Sequence, residues 1–239
     1  MSRPTSRSSS FCNERENLPI LVDELVRMMD SLAATSFEVI LIDDCGDDGG
    51  LDAAMGLAAS EPRLRLLRHA GNYGQSAALA SGFAAARGGI VVTLDADLQN
   101  DPADVPRLLE ALRECDLVSG VRAERHDSWM RRVSSRLANR VRSAILHDGI
   151  TDVGCSLKAY RAELLVELPL FNGMHRFLPA LVALRGARIR EIPVRHRPRR
   201  HGTSKYGVHN RLWRGLADLR GVRWLQKRSI GNRRVQEIE

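Results

Sequence analysis

Nothing in this chain of 239 residues approaches the ~20 consecutive apolar residues that a spanning helix needs, so no segment is expected to cross a bilayer. The opening stretch from Met1 to Ser10 lacks the apolar core of a secretory signal and is expected to be a disordered lead. The four cysteines (Cys12, Cys45, Cys115 and Cys155) are scattered without metal-ligand spacing. Free thiols in a reduced, cytosolic setting are the expectation. There is no internal repeat and no long linker. The length suits one large domain, or one domain plus an extension.

Acids are scarce at one end. From Arg185 to Arg234 there are 16 Lys or Arg against two acids, Glu191 and Asp218. That segment carries +14 of a net +7, and residues 1–184 carry −5. A mildly acidic body with a basic last quarter seeks phosphate, whether of a nucleotide, a nucleic acid or an anionic membrane.

What is present is an alternation of strand-like and helix-like runs. Leu18, Leu21, Val22, Leu25, Met28, Met29 and Leu32 recur at helical spacing, with Asn17 as a candidate cap and Pro19 in the first turn. Phe37 to Ile42 reads as a strand stopped by Asp43 and Asp44, and Leu64 to Leu67 as a second. Short helices are expected over 51–60, 74–87 and 103–114, and another strand at Leu117–Val118 ending by Gly120. Near-continuous apolar strands in β-α-β order predict a mostly parallel sheet covered on both faces. Ligands of such sheets bind at the carboxyl ends of the strands.

The most informative stretch is Thr93-Leu94-Asp95-Ala96-Asp97-Leu98-Gln99, after the apolar run Ile90, Val91, Val92. In an extended chain, positions i, i+2 and i+4 point the same way. Asp95, Asp97 and Gln99 would then converge as three hard oxygen ligands for Mg²⁺ or Mn²⁺ carrying a diphosphate. Taken alone, an Asp-x-Asp is more often a solvated acidic turn. A second acidic pair at the same rim, Asp43 and Asp44, strengthens the nucleotide-diphosphate reading.

Five ordered blocks extend it. Asn72-Tyr73-Gly74-Gln75-Ser76-Ala77-Ala78, Asp95-Ala96-Asp97-Leu98-Gln99 and Asn100-Asp101-Pro102 are followed by Asp152-Val153-Gly154-Cys155-Ser156-Leu157-Lys158-Ala159-Tyr160 and Gly202-Thr203-Ser204-Lys205-Tyr206. Over about residues 13–210 the chain resembles the family 2 glycosyltransferases of GT-A fold. Within them it is most similar to the dolichol-phosphate mannosyltransferase-like and undecaprenyl-phosphate sugar transferases. The resemblance implies a nucleotide-diphospho-sugar-binding, Rossmann-like α/β domain. It implies Asp95, Asp97 and Gln99 as metal ligands, Asp43, Asp44, Asn13 and Glu14 at the nucleoside, and Arg122, Arg131 and Ser135 near the diphosphate or the acceptor phosphate. Arg200 and Lys205 would lie in a loop closing over the site. The residues themselves support Arg131: from Trp129 to Leu146, Trp129, Val133, Leu137, Val141 and Ile145 repeat every four, and Arg131, Arg132, Ser135, Arg136 and Asn139 lie largely off that stripe. A solvated basic face is the plain alternative, and Gly202–Tyr206 could equally be an ordinary turn into a helix.

Family members that glycosylate a sugar hydroxyl place an acidic pair where this chain has Gly173-Met174-His175-Arg176-Phe177. A hydroxyl acceptor needs a general base. A phosphate monoester, with a second pKa near ~6, does not. This favours a polyprenyl-phosphate acceptor, with His175 and Arg176 balancing its charge; a satisfied histidine at a helix start is the alternative for His175. At the end, Val208, Leu212, Leu216, Leu219 and Val222 form one helical stripe, with Trp213 and Trp224 on a second line among Arg211, Arg214, Arg220, Arg223, Lys227 and Arg228. That pattern suits a membrane interface, and a helix packed on the body is the alternative.

Two departures stand out. The family's first strand would fall on Arg7-Ser8-Ser9-Ser10-Phe11-Cys12, a poor strand by composition. The turn Cys45-Gly46-Asp47-Asp48-Gly49-Gly50 carries extra acids that would sit awkwardly beside a diphosphate.

The expected organisation is therefore a disordered or degenerate lead over 1–12, a GT-A glycosyltransferase domain over 13–207, and a basic amphipathic interfacial helix and tail over 208–239. The expected activity is inverting, Mg²⁺- or Mn²⁺-dependent transfer from GDP-mannose or a UDP-sugar to polyprenyl phosphate at the cytoplasmic membrane face. A carbohydrate acceptor and an inactive sugar-nucleotide-binding relic are the alternatives. A nucleic-acid partner is not expected, because the carboxylate rim repels phosphates unless a metal is present.

Overall fold

The computed structural model describes residues 5–11, 14–32, 36–123, 139–198 and 209–229. Its centre is a seven-stranded sheet in the order β3-β2-β1-β4-β6-β5-β7. The strands are β1 (Thr5–Phe11), β2 (Phe37–Asp43), β3 (Leu64–Arg68), β4 (Ile90–Thr93), β5 (Leu117–Arg122), β6 (Lys158–Arg161) and β7 (Ile189–Val194). β1 runs parallel to β2 and β4, β2 to β3, and β5 to β7. β6 alone is antiparallel to both its neighbours, so the expected sheet, mostly but not wholly parallel, is the one formed.

The helices are α1 (Leu18–Asp30), α2 (Gly50–Ser60), α3 (Gln75–Ala85), α4 (Val105–Ala111), α5 (described over residues 139–146), α6 (Leu178–Ala183) and α7 (His209–Arg228). They cover both faces of the sheet. Strand alternation sorts the core: Val39, Leu41, Val92, Val118 and Ala159 pack with Leu18, Leu21 and Leu25 of α1 and Leu108 of α4. Their chain neighbours Val91, Leu117 and Tyr160 pack on the other side with Leu79 of α3, Leu178 and Leu181 of α6, and Leu219 and Val222 of α7. A strand buried on both faces must be apolar throughout, which is why β2 and β4 read as continuous hydrophobic runs.

Three expectations are corrected here. The lead is not disordered over Thr5–Phe11. That segment is β1, paired on both sides with β2 and β4. The apolar β2 pairs along its whole length and β4 along Thr5–Ser8, and this context outweighs the poor strand propensity of serines. Asn17 occupies the cap position of α1 but makes no capping bond; its Nδ2 donates to Glu14 Oε2 instead. The predicted apolar stripe of the last helix is only partly free, since Leu219 and Val222 are buried against the body while Leu216 remains 37% exposed; Trp224, on the second line, is 61% exposed. Of the described cysteines, Cys45, Cys115 and Cys155 are free thiols, as expected.

Candidate active site

The sheet delivers its acids at the carboxyl ends of β2 and β4, on adjacent sides of β1. At the end of β2, Asp43 is fully buried. It accepts the Gly46 N–H at 3.1 Å and faces Arg68 Nε at 3.5 Å. Asp44 reaches across to the loop before α3. Its carboxylate accepts the backbone N–H groups of Tyr73 (2.9 Å) and Gly74 (2.7 Å), and His69 Nδ1 lies 2.8 Å away. The Asn72-Tyr73-Gly74 motif is thus pinned by Asp44, and α3 starts directly behind it. Asp48 is similarly committed to backbone, accepting from Arg15 N and Gly50 N at 2.9 Å each. Asp48, one of the two extra acids of that turn, thus anchors the start of α2.

After β4 the chain does not continue extended. The strand ends at Thr93, and Asp95 to Leu98 form a turn in which buried Leu98 takes φ of 60°. A left-handed leucine costs about 1–2 kcal/mol. Burial of its side chain in the α1-side core holds it there. The alternation argument for Asp95, Asp97 and Gln99 therefore fails, and a strained turn presents these residues. The turn is held by three contacts. The Asp95 N–H donates to Ser156 Oγ at 3.2 Å, the Gln99 N–H to Asp97 Oδ1 at 3.2 Å, and the Arg197 N–H to the Gln99 carbonyl at 2.8 Å. Ser156 Oγ also accepts from Asn100 Nδ2 at 2.6 Å, and the Thr93 hydroxyl donates to the Ser156 carbonyl at 2.8 Å.

Burial pushes the Asp95 carboxyl up to about 6, and the neighbouring Asp97 charge adds to the shift. Gln75 Nε2 donates to Asp95 Oδ1 at 2.9 Å. Two neighbouring carboxylates, Asp95 and Asp97, with the half-buried Gln99 two residues on, fit the donor set of a hard divalent cation. Among the described residues no three His, Cys, Asp or Glu side chains close on one point. A cation held here would take further oxygens from Gln99, a diphosphate or water.

Behind the acids lies an open cavity of ≈ 230 Å³ lined by Gln75, Asp95, Ser156, Lys158, His175 and Arg176, among others. Lys158 is 4% exposed, and its ammonium donates to the carbonyls of Cys155 and Val153. Burial pulls its pKa down from the usual lysine range. His175 sits on Ser76, Nδ1 to Oγ 2.9 Å, and Arg176 pairs with Asp218 of α7 at 3.0 Å. Gln75, Ser76, Ser156 and Lys158 are parts of this arrangement that motif reading left without roles. Gln75, Ser76 and Ser156 each bond to a residue far along the chain, whereas Lys158 is tied to carbonyls three and five residues before it, and membership of the quoted blocks was the only signal.

The remaining predicted residues distribute as follows. Glu14 lies beside the first helix with Asn17 donating to it. Arg122 forms a two-pronged pair with the buried Asp152, Nε to Oδ2 and Nη2 to Oδ1 at 2.8 Å each, and so holds the turn before Ser156. Asn13, Arg131, Ser135, Arg200 and Lys205 lie outside the described residues, as do residues 202–206 and most of the predicted helix from Trp129. Four arginines of the basic quarter are already matched by acids of the body. Arg188 pairs with Asp116, Arg190 with Glu114, Arg195 with Asp101 and Asp104, and Arg197 with Glu24 and Asp101.

A glycosyl transferase family 2 profile matches residues 10–168. The chain belongs to that family. It is 38% identical over 221 residues to a dodecaprenyl-phosphate galacturonate synthase of Rhizobium johnstonii, covering 90% of this chain and 65% of that protein. It is 39% identical over 198 residues to an undecaprenyl-phosphate 4-deoxy-4-formamido-L-arabinose transferase of Aeromonas hydrophila, covering 82% and 60%. The chain thus spans somewhat under two thirds of the length of these relatives. Among solved structures, a glucosyl-3-phosphoglycerate synthase from Mycobacterium tuberculosis bound to UDP superposes with a TM-score of 0.68 at 20% identity, covering 94% of this chain and 80% of that one. A mannosyltransferase from Pyrobaculum calidifontis with GDP-Man and Mn²⁺ gives 0.62 at 22% identity, covering 95% and 63%. The fold is GT-A, as the motif blocks implied.

Proposed function

We propose that this family 2 member transfers a sugar, with inversion, from a nucleotide-sugar donor to a polyprenyl phosphate, assisted by Mg²⁺ or Mn²⁺. The observation that carries this is the cavity lined by Asp95 together with His175, Arg176 and Lys158, in which Asp95 is the one acidic side chain among the described lining residues. The names of the sequence relatives support the acceptor class, and those of the structural neighbours fit a nucleotide-sugar donor.

Asp95, Asp97 and Gln99 would hold the metal, which when bound offsets charge on the departing diphosphate. Gln75 keeps the Asp95 carboxylate turned to the cleft. Asp44, by clamping Tyr73 and Gly74, shapes the floor on which the nucleoside would rest. On the other side, His175 and Arg176 steady the acceptor phosphate. A phosphate oxygen attacks the anomeric carbon, and the bond from that carbon to the diphosphate oxygen breaks. No proton needs removing, because the acceptor is already largely dianionic at neutral pH, so the missing carboxylate base costs nothing. Arg131, Ser135, Arg200 and Lys205 join this reading through the family motifs alone.

No described helix is long and apolar enough to cross a membrane. The exposed Trp224, flanked by Arg220, Arg223, Lys227 and Arg228, is suited to an anionic lipid surface and would bring the cleft near a lipid head group. Incubation with labelled UDP-glucose, UDP-N-acetylglucosamine or GDP-mannose, Mn²⁺ and a short polyprenyl phosphate tests the reading. Label in the lipid fraction supports it. A free glycan, or nucleotide binding without turnover, selects the alternatives.

A further inference from the structure

We propose that Ser76 is a positioning residue. It fixes the ring of His175 at the acceptor end of the cleft and, with Gln75, ties that ring's place to Asp95 on the donor side. The naming of donor and acceptor ends rests on the function proposed above.

Ser76 is 7% exposed, and its Oγ lies 2.9 Å from both the Gly173 N and the His175 Nδ1. The Gly173 N–H can only donate, so the Ser76 oxygen accepts there and keeps its own proton to give. The Nδ1 of a neutral imidazole takes that proton, which leaves the ring hydrogen on Nε2. His175 lines the cavity, so this tautomer offers it an N–H donor, suited to a phosphate oxygen.

The gripped turn has little room to move. Gly173 sits at φ of 100°, and a Cβ there would stand 2.6 Å from Arg176 Nη2 and 2.8 Å from Asp218 Oδ2. Arg176 is itself fastened to Asp218 of α7 at 3.0 Å. The turn is thus held from α3 through Ser76 and from α7 through Asp218. The residue before Ser76 is Gln75, which grips Asp95. Two consecutive residues of one helix therefore hold the donor-side carboxylate and the acceptor-side ring. Their separation is set by rigid backbone, as an in-line transfer between two anions requires.

A merely structural Ser76 would satisfy the buried Gly173 N–H and nothing more. Ser76→Ala, Ser76→Thr, His175→Ala and the Ser76→Ala/His175→Ala double variant separate the two roles, with melting curves to show that each folds. The kinetic probe is a short polyprenyl phosphate with whichever of the three donors the native protein turns over. In Ser76→Ala the acceptor KM should rise about tenfold, while the affinity for the donor's nucleoside diphosphate with Mn²⁺ stays unchanged. Ser76→Thr should restore the native value, and Ser76→Ala should cost nothing further on the His175→Ala background. ¹⁵N spectra of histidine-labelled protein should show His175 as a single Nε2–H tautomer, becoming a mixture in Ser76→Ala. An unchanged acceptor KM and tautomer, or losses that add in the double variant, would overturn the proposal. If native protein transfers to no polyprenyl phosphate, the proposed function falls on its own. The nitrogen spectra then decide the role of Ser76: an unchanged tautomer refutes it, and a mixture upholds it.

Discussion

Gln75 and Asp95 are joined by a 2.9 Å hydrogen bond from the amide Nε2 to the carboxylate Oδ1, linking the first residue of α3 to the turn after β4. The contact orients a candidate metal ligand from outside. Partners of this kind are typically worth about 10–100-fold in metal affinity. Gln75→Ala is expected to weaken Mn²⁺ binding by about tenfold with little change in melting temperature, as read by calorimetric titration.

Asp95 itself is held in a form that opposes folding. Its carboxyl is raised to about 6 by burial and by Asp97, so the folded chain binds that proton more tightly than the unfolded one. Stability is therefore lost as pH rises from about 4 to about 6 and stays lost above. Metal-free Asp95→Asn should melt higher than the native protein at pH 8, with the gap closing below pH 4. Mn²⁺ should raise the melting temperature of the native protein and not of the variant.

Arg122 and Asp152 form a fork-to-fork pair with Asp152 2% exposed. Removing one partner of such a pair leaves the other without compensation at a cost of about 3 kcal/mol. Asp152→Ala and Arg122→Ala should each lose about that much in urea denaturation. The double variant should lose much less than the sum.

Trp224 is 61% exposed on a helix whose Leu219 and Val222 are already used by the core. Trp224→Glu should leave the melting temperature within a few degrees of native. It should also reduce co-sedimentation with vesicles containing anionic lipid. Equal binding by native and variant protein would remove this helix from the membrane contact.

Much of the architecture could be read directly from residue order. Val39 to Ile42 and Ile90 to Val92 are apolar on both faces, and acids stop or follow each run, so strands, sheet type and rim were readable. β1 was not, because its place between β2 and β4 depends on ladder partners far along the chain rather than on its serines. The presentation of Asp95 and Asp97 was misjudged for a local reason. Leu98 adopts a left-handed conformation that its side chain disfavours and only tertiary packing supports. The basic quarter looked like a phosphate-seeking surface. However, β7 and the loop after it lie against Glu24, Asp101, Asp104, Glu114 and Asp116, which take up several of its charges. The bonds of Gln75, Ser76 and Ser156 join residues 20 to 99 positions apart, and no spacing rule reports them.

The measurement closest to the central claim is transfer of labelled sugar to a short polyprenyl phosphate by native protein and by Asp97→Ala, each with Mn²⁺ and each shown to be folded. Label in the lipid fraction with native protein, lost on chelation and abolished by Asp97→Ala, is the predicted result. No lipid-linked product from any of the three donors, or product undiminished in Asp97→Ala, would contradict it.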